Sequence, residues 1–423
     1  STMTTTSTKP SMVKNINFWL FGFFSFFYFF IMAICFPWLP VWGVDHLHLS
    51  NTDIGLIFSC ISLFAIIMQP LFGILSDKLG LKKHLVGSIV GALICMGPFF
   101  IYVFGPLLQW NIFIGALTGG LYIGFTFSAG CGVYEAYMEK ASRHYNFEYG
   151  ITRAFGNPGW GFCALIAASI FSRNPNYMFW MASIAALILG VLLFSVKNNT
   201  TAILDVPDQK NALSATDSKK NQTLELFKDK RFWMFIIFTM GVPCVYEVYD
   251  QQFATFFKTF FTSQEEGTRW FGYATTICEA GNAMVMFITP WILSKIGIKR
   301  TLIIAGLVMT IRVTGSAFAT TATEVFLLKL LHAFELPLYI IGSMKYIITV
   351  FDVRLSATIY LIGFQFSKQI GNMILSAVTG RMYDTIGFHD TYLMLGSVVF
   401  MVTIISIFTL QGQSKNKMTA SMA

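Results

Sequence analysis

The stretch Lys329-Leu-Leu-His332-Ala-Phe-Glu335 places a base, an imidazole and an acid at i, i+3 and i+6 inside an otherwise apolar segment. Its flanks, Glu324-Val-Phe-Leu-Leu and Leu336-Pro-Leu-Tyr-Ile-Ile-Gly, are apolar enough to predict a helix that crosses a membrane. Side chains at this spacing share one broad helix face, so the three groups should lie together at bilayer depth, where an ionised group is costly. The stretch therefore predicts a spanning helix that takes part in proton chemistry.

The composition of the whole chain agrees with a membrane protein. Of 423 residues, 55% are hydrophobic and only 12% are charged, which is too apolar for a soluble domain. Apolar runs long enough to cross roughly 30 Å of hydrocarbon predict an all-α protein with about twelve transmembrane helices. These spans are expected near 18–42, 53–75, 84–105, 111–138, 151–172, 177–196, 232–257, 270–294, 301–320, 324–350, 356–379 and 391–411.

A polar segment divides the predicted spans into two groups of six. Residues 197–231 are rich in Asn, Thr, Ser, Asp and Lys and have no apolar period, which is typical of a linker. The expected domains are therefore a bundle at 1–196, a cytoplasmic linker at 197–231 and a second bundle at 232–423.

Each half carries a similar loop after its second span, which indicates a duplicated six-helix unit. The first contains Gly73-Ile-Leu-Ser-Asp77-Lys78-Leu-Gly80-Leu-Lys82-Lys83, and the second Leu293-Ser-Lys295-Ile-Gly297-Ile-Lys299-Arg300. We interpret Gly73, Asp77, Lys78 and Gly80 as a gating loop motif.

Basic residues concentrate in the termini and in alternate loops, which should therefore lie in the cytoplasm together with both termini. The net charge of +8 is explained by this bias, so nucleic acid is not an expected partner. The first apolar run is too long for a cleavable signal. Seven cysteines lie inside predicted spans without metal-ligand spacing, and we interpret them as packing residues; they are Cys35, Cys60, Cys95, Cys131, Cys163, Cys244 and Cys278.

The predicted spans also contain a set of charged side chains. Five acids outnumber four bases, with His332 counted as neutral; the acids are Glu135, Glu247, Asp250, Glu279 and Glu335, and the bases are Arg153, Arg312, Lys329 and Lys368. A surplus buried acid favours one carboxylate that holds a proton. The structural alternative is that these groups form ion pairs between helices, such as Asp250 with Lys329 or Glu247 with Lys368.

A second cluster points to a sugar ligand. Arg153 and Trp160 are seven residues apart and should share a helix face, while Gly156, Pro158 and Gly159 between them leave room for a ligand. An indole can lie flat on a pyranose ring. Directed hydrogen bonds can come from Glu135 and Arg153 in one half and from Glu279 and Asn282 in the other, which predicts a site between the halves. As an isolated residue, Trp160 can equally be an interfacial or packing aromatic.

These motifs resemble the lactose permease group of oligosaccharide/proton symporters, which belong to the major facilitator superfamily. The resemblance covers nearly the whole chain and looks closest to the melibiose and raffinose permeases. It is carried by Asn17-Phe-Trp-Leu-Phe-Gly, Gln69-Pro-Leu-Phe-Gly-Ile-Leu-Ser-Asp-Lys-Leu-Gly-Leu, Tyr249-Asp-Gln-Gln-Phe-Ala, Glu266-Gly-Thr-Arg-Trp-Phe-Gly-Tyr and Leu355-Ser-Ala-Thr-Ile-Tyr-Leu.

The resemblance implies residue roles. Sugar binding is implied for Glu135, Arg153, Trp160, Asn157, Glu279, Asn282, His332 and Lys368. Asn157 stands where the lactose permease has Cys, which puts lactose affinity in doubt. Proton coupling is implied for Glu335, Arg312, His332, Tyr246, Asp250 and Lys329, and a structural ion pair for Glu247 with Lys368. The family implies a monomer that works by alternating access in the bacterial cytoplasmic membrane, without a cofactor or a metal.

Four functions remain open from the sequence. The first is symport of protons with galactosyl oligosaccharides, which Glu279 and Asn282 favour. The others are symport of sucrose-like sugars, proton-driven drug efflux and a sensor that binds sugar without transport. Arg153, Glu135 and Asn282 argue for a polar ligand, and a sensor would not need Glu335.

Overall fold

A computed structural model describes residues 12–197 and 221–412, and these ranges contain helices but no strand. The helices of the first half are α1 Ile16–Cys35, α2 Leu39–Asp45, α3 Asn51–Leu79, α4 His84–Ile94, α5 Met96–Pro98, α6 Gly105–Trp110, α7 Ile112–Ile123, α8 Gly130–Tyr145, α9 Tyr149–Ala154, α10 Gly156–Arg173 and α11 Pro175–Ser195. Two π-helical segments, Phe99–Phe104 and Gly124–Ala129, join α5 to α6 and α7 to α8.

The second half continues in the same way. Its helices are α12 Lys230–Gly241, α13 Pro243–Gln251, α14 Phe253–Lys258, α15 Gln264–Ile296, α16 Ile298–Phe318, α17 Ala322–Leu330, α18 His332–Val350, α19 Ser356–Ile359, α20 Ser367–Thr385 and α21 Gly387–Thr409. A 3₁₀ turn at Val353–Leu355 precedes α19, and a π-helical segment at Tyr360–Phe366 joins α19 to α20.

The predicted all-α membrane fold is confirmed, with one difference in the number of apolar spans. In the described residues ten helices are long and apolar enough to cross a membrane, and α4 with α5 and α6 forms an eleventh span bent by 50°. The predicted span at 356–379 is helical but fails this test, because Gln365, Lys368, Gln369 and Asn372 make it polar.

One predicted boundary is wrong. Helix α3 continues through Gly73, Asp77 and Lys78 to Leu79, so only Gly80 of the predicted gating motif lies in the loop. In the second half, Asp229 caps α12, and the helix begins at Lys230, close to the predicted start of that span at 232. Residues 198–220 of the predicted linker lie outside the described residues.

Side-chain caps set the beginnings of several spans. The side chains of Asn15, Asn111, Asn174, Ser263 and Thr321 each accept a hydrogen bond from a first-turn backbone N–H. Such caps satisfy backbone donors that have no partner inside the helix. The sequence thus fixes where these helices start.

The described residues fall into two compact units. The first contains 12–47 and 60–197, and the second contains 48–59 and 221–412. Within the second unit, the Asp384 carboxylate accepts hydrogen bonds from Thr52 N at 2.7 Å, Thr52 Oγ1 at 2.5 Å and Asn51 N at 3.3 Å. Residues 48–59, expected in the first bundle, therefore pack with α20. The division at 196 and 232 stays a prediction.

The two repeated loops share one backbone device. Gly80 follows α3 with φ of 58°, and Gly297 follows α15 with φ of 95°. Both N–H groups close the preceding helix, donating to Ser76 O and to Leu293 O respectively. A positive φ favours glycine because it has no Cβ. The two loops therefore share a glycine with positive φ after the preceding helix, but they differ in length, because α4 begins at His84 whereas α16 begins directly after Gly297.

Replacing Gly297 by Ala is expected to lower the thermal unfolding midpoint of the purified protein. Its φ of 95° and ψ of 162° lie in a region that is essentially restricted to glycine, so a Cβ there costs about 1–3 kcal/mol. The matched control is Gly87→Ala in α4, where a Cβ meets nothing within 4 Å and φ is ordinary. Equal midpoints for the two variants would contradict this account of the loop.

Candidate functional site

An arginine and a glutamate form an ion pair in the first unit. Arg153 Nε lies 3.3 Å from Glu135 Oε1, and the two side chains are 31% and 35% exposed. The same glutamate oxygen accepts a bond from Cys131 Sγ at 3.2 Å, and the guanidinium lies 3.8 Å from the centroid of the Phe29 ring. The pair is held in place but retains exposed polar atoms that can bind a ligand.

Small residues allow Arg153 and its neighbours to approach α1 closely. A Cβ at Gly156 would meet the Phe29 ring and lie 3.0 Å from Arg153 Nη1, and a Cβ at Gly159 would meet the backbone of Phe26. Asn157 and Trp160 are half-buried in the first turns of α10. The helix is interrupted at Phe155, within a single candidate span from Tyr149 to Phe171.

Arg312 lies at the centre of a buried network in the second unit. Its Nη1 lies 2.5 Å from Glu335 Oε1 and its Nη2 lies 3.1 Å from Asp250 Oδ1. The side chains of Arg312 and Glu335 are both 0% exposed, whereas Asp250 is 36% exposed. One guanidinium therefore joins α13, α16 and α18.

Aromatic rings surround the guanidinium. Its carbon lies 4.7 Å from the centroid of Tyr249 and 5.4 Å from that of Tyr246. Tyr249 also hydrogen-bonds Ser316, which donates to the backbone carbonyl of Arg312 at 2.8 Å. These rings offset part of the cost of burying the cation.

His332 and Lys329 extend this network. His332 is buried, and its Nδ1 makes a short hydrogen bond with the hydroxyl of Tyr246. Lys329 Nζ lies 3.7 Å from Asp250 Oδ1, so the predicted pair forms, although Arg312 approaches Asp250 more closely. The helix is interrupted at Leu331, between Lys329 and His332, inside the candidate span Ala322–Val350.

A second ion pair joins α13 to α20. Lys368 Nζ lies 2.8 Å from Glu247 Oε1, which agrees with the predicted pairing. Asn372 Nδ2 donates to the other glutamate oxygen at 2.6 Å, and Cys244 Sγ donates to Asn372 Oδ1 at 3.2 Å. The pair is thus part of a four-residue chain of hydrogen bonds.

Glu279 and Asn282 lie one turn apart in α15. Glu279 is half-buried, and Asn282 is 5% exposed. Among the described residues, no group hydrogen-bonds Asn282 Oδ1. A buried amide oxygen without a partner is unusual and is available to a ligand hydroxyl.

Several of these partners were missed from the sequence. Cys131, Cys244 and Cys278 donate hydrogen bonds, to Glu135, Asn372 and the backbone carbonyl of Lys329 respectively, which the sequence did not predict. Cys244 and Cys278 are also buried, as expected of packing residues, whereas Cys95 is exposed. Asn372 was not predicted at all. Its spacing of one turn from Lys368 on α20 is the signal that could have identified it.

No group of three or more His, Cys, Asp or Glu side chains in the described residues is arranged to hold a metal ion. The ionisable groups at membrane depth instead pair with one another. Ionisable side chains inside membrane spans are a feature of secondary active transporters, where they line substrate and ion pathways.

Comparison with known proteins gives the family. Residues 10–423 match the family described as LacY proton/sugar symporter, and the chain belongs to it. The chain is 54% identical over 399 residues to the raffinose permease of Escherichia coli, covering 94% of this chain and 93% of the relative. It is 54% identical over 414 residues to the melibiose permease of Enterobacter cloacae, covering 97% and 96%.

More distant proteins bear on the fold. A sucrose permease of Escherichia coli is 36% identical over 371 residues, covering 88% of each chain. The crystal structure of the nucleoside transporter NupG aligns with a TM-score of 0.76 at 15% identity, covering 93% of this chain and 98% of that one. The protein therefore has the major facilitator fold and is a proton-coupled sugar symporter, as the sequence predicts.

Replacing Arg312 by Met is expected to destabilise the protein by about 3–5 kcal/mol, because it leaves Glu335 buried without its cation. The double variant Arg312→Met with Glu335→Gln should recover a large part of this loss, since the buried negative charge is then also removed. Thermal unfolding of the purified variants measures both effects. If the double variant is less stable than Arg312→Met alone, the pair does not carry the charge compensation assigned to it.

Proposed function

We propose that this symporter imports galactosyl oligosaccharides of the melibiose and raffinose type together with protons. The observation that carries the proposal is the contrast between two ion pairs: Arg153 with Glu135 is one-third exposed, whereas Arg312 with Glu335 is fully buried. The first suits a polar ligand, and the second suits a group that only protons reach. The 54% identity to raffinose and melibiose permeases supports this substrate class.

The proposed sugar-binding residues are polar, apart from one aromatic ring. Arg153 and Glu135 bind hydroxyls of the galactosyl ring, and the Trp160 indole stacks on its apolar face. Asn157 adds an amide one turn before Trp160. In the second unit, Asn282 offers its unpartnered amide oxygen, and Glu279, His332 and Lys368 complete the set of hydrogen-bonding groups.

Glu335 takes up and releases the coupling proton. One oxygen of its carboxyl group is paired with Arg312, while the other oxygen has no hydrogen-bond partner among the described residues. Arg312 promotes proton release, because its positive charge stabilises the carboxylate. His332, which hydrogen-bonds Tyr246, and the ion pair of Asp250 with Lys329 lie next to this site. We assign to these residues the coupling of proton binding to sugar binding. Glu247 with Lys368 holds α13 against α20.

The remaining assignments concern the membrane. Gly73, Asp77, Lys78 and Gly80 form the gating motif, and Asp77 lies 3.6 Å from Lys140. We assign the protein to the bacterial cytoplasmic membrane, with both termini in the cytoplasm, as a monomer that works by alternating access and needs no cofactor. Symport of sucrose-like sugars is the second candidate, since a sucrose permease shares 36% identity.

The first test is sugar-dependent proton uptake. Melibiose, raffinose, lactose or sucrose is added to de-energised cells in weakly buffered medium while external pH is recorded, with a drug panel in parallel. Alkalinisation with galactosides is expected. Alkalinisation with sucrose but not with melibiose would favour the second candidate, and no response to any sugar despite expression would contradict symport.

The same assay tests Glu335. Glu335→Ala should abolish uphill accumulation and alkalinisation while sugar exchange continues, because the proton acceptor is lost but the sugar groups remain. Glu324→Ala, an exposed acid on the same span, is the control and should behave as the parent. Loss of sugar binding in Glu335→Ala would argue against separate sugar and proton roles.

Replacing Arg153 by Lys is expected to weaken sugar binding at least about 100-fold, because a lysine keeps the charge but not the planar set of donors. The control is Arg143→Lys, in which the exposed pair of Arg143 with Glu139 is changed in the same way. Calorimetric titration of the purified variants with melibiose measures the difference. Equal affinities would remove Arg153 from the proposed sugar site.

A further inference from the structure

An open cavity of about 750 Å³ lies beside the connection between α15 and α16 in the second unit. Three basic residues line it: Lys295 in the last turn of α15, and Lys299 and Arg300 in the first turn of α16. Both helices are candidate membrane spans, so the cavity is at the boundary between hydrocarbon and water. Its volume is in the range of small-molecule sites.

The three cations are not neutralised by any residue of the ranges 12–197 and 221–412. Among the residues that the structure describes, no carboxylate forms an ion pair with Lys295, Lys299 or Arg300. Gly297, which precedes α16, supplies no side-chain cap, and the first turn of that helix contains no acid. The cavity therefore presents concentrated positive charge. The N-terminus of α16 adds the partial positive charge of the helix dipole.

The rest of the lining is apolar. Ile303 and Ile304 come from α16, and Ile407 comes from the last turns of α21. Ile304 and Ile407 are 39% and 37% exposed, so their side chains offer free apolar surface next to the cations. A ligand that matches this cavity has an anionic part and an aliphatic part.

In the equivalent loop of the first unit, one of the corresponding cations, Lys83, is held by the protein, whereas Lys78 and Lys82 are exposed. Lys83 occupies the position that corresponds to Arg300, and its Nζ donates a short hydrogen bond to Val196 O. It also lies 5.8 Å from the centroid of the Phe194 ring. The end of the last helix of that unit thus engages the loop lysine, whereas Arg300 makes no such contact with any described residue of the second unit.

We infer that this cavity binds an anionic glycerophospholipid, with the phosphate on Lys295, Lys299 and Arg300 and an acyl chain along Ile304 and Ile407. The charge requires an anion, and the exposed isoleucines require an aliphatic chain attached to it. Basic pockets between spans at a membrane surface recognise lipid headgroups through these two features. The inference is independent of the sugar that the protein transports.

The test is lipid binding to the purified, delipidated full chain in detergent. Dioleoyl phosphatidylglycerol or dioleoyl phosphatidylcholine is titrated, and bound lipid is counted by native mass spectrometry. The triple variant Lys295→Gln, Lys299→Gln and Arg300→Gln should bind phosphatidylglycerol at least about tenfold more weakly, since each cation near a lipid surface contributes roughly a factor of five. Equal binding of both lipids by the parent would overturn the inference.

The matched control removes the same charge elsewhere. The control is a triple variant that replaces three exposed lysines, Lys14→Gln, Lys82→Gln and Lys230→Gln. It should leave phosphatidylglycerol binding within about twofold of the parent. If both triple variants lose binding equally, the effect is one of net charge and the site is refuted. Retention of binding in Lys295→Arg with Lys299→Arg would support a charge-based site.

A second variant tests the apolar wall without changing charge, in case the triple variant does not fold. Ile407→Trp fills the cavity and should weaken phosphatidylglycerol binding at least about fivefold; unchanged binding would contradict the assigned acyl path. Inorganic phosphate and glycerol phosphate at millimolar concentration distinguish the source of the anion. Failure of both to compete supports a lipid, whereas displacement of the lipid by either would mean that a free phosphate is the ligand and would overturn the inference.

Discussion

The second unit depends on the burial of one permanently charged guanidinium. Arg312 has no exposed surface, and a cation without water is tolerated only when anions and rings replace its hydration. Glu335 and Asp250 provide the anions, and Tyr246 and Tyr249 provide the rings. Because these residues come from α13, α16 and α18, the same interaction sets the packing of the three helices and the position of the carboxylate that we propose as the proton site.

The contrast with the first unit follows from exposure. Arg153 with Glu135 and Arg312 with Glu335 are both arginine–glutamate pairs, but about a third of each side chain in the first pair remains accessible. An exposed pair can exchange protein contacts for ligand hydroxyls at little cost, whereas a buried pair responds chiefly to the gain or loss of a proton. Two ion pairs of the same residue types therefore differ in solvent access, and the two roles that we propose for them follow from that difference.

The sequence predicts the fold well because hydropathy is a local property. Eleven of the twelve expected spans correspond to candidate membrane helices. The exception, at 356–379, contains the polar residues Lys368 and Asn372, and both contact Glu247. The charged residues within the spans were also found from the sequence, since charge inside an apolar run is visible directly. Their partners were not: spacing gives neighbours on one helix, but the choice of Arg312 rather than Lys329 as the closest cation to Asp250 depends on how separate helices pack. The segment from Gly73 to Leu79 was predicted as a loop because it is similar to the loop of the second half, but the helix contains Pro70 and Gly73 without ending and stops only before Gly80.

The two repeated loops share a backbone feature but differ in the contacts of their side chains. Both loops keep a glycine with positive φ after the second long helix of their unit, because the reversal of the chain needs it whatever surrounds it. The cations that follow have no such constraint. In the first unit Lys83 is held by Val196 and Phe194, and in the second Lys299 and Arg300 border a cavity. The positive-φ glycine is thus common to both loops, whereas the surroundings of the corresponding cations Lys83 and Arg300 differ, and the lipid site that we infer depends on this difference.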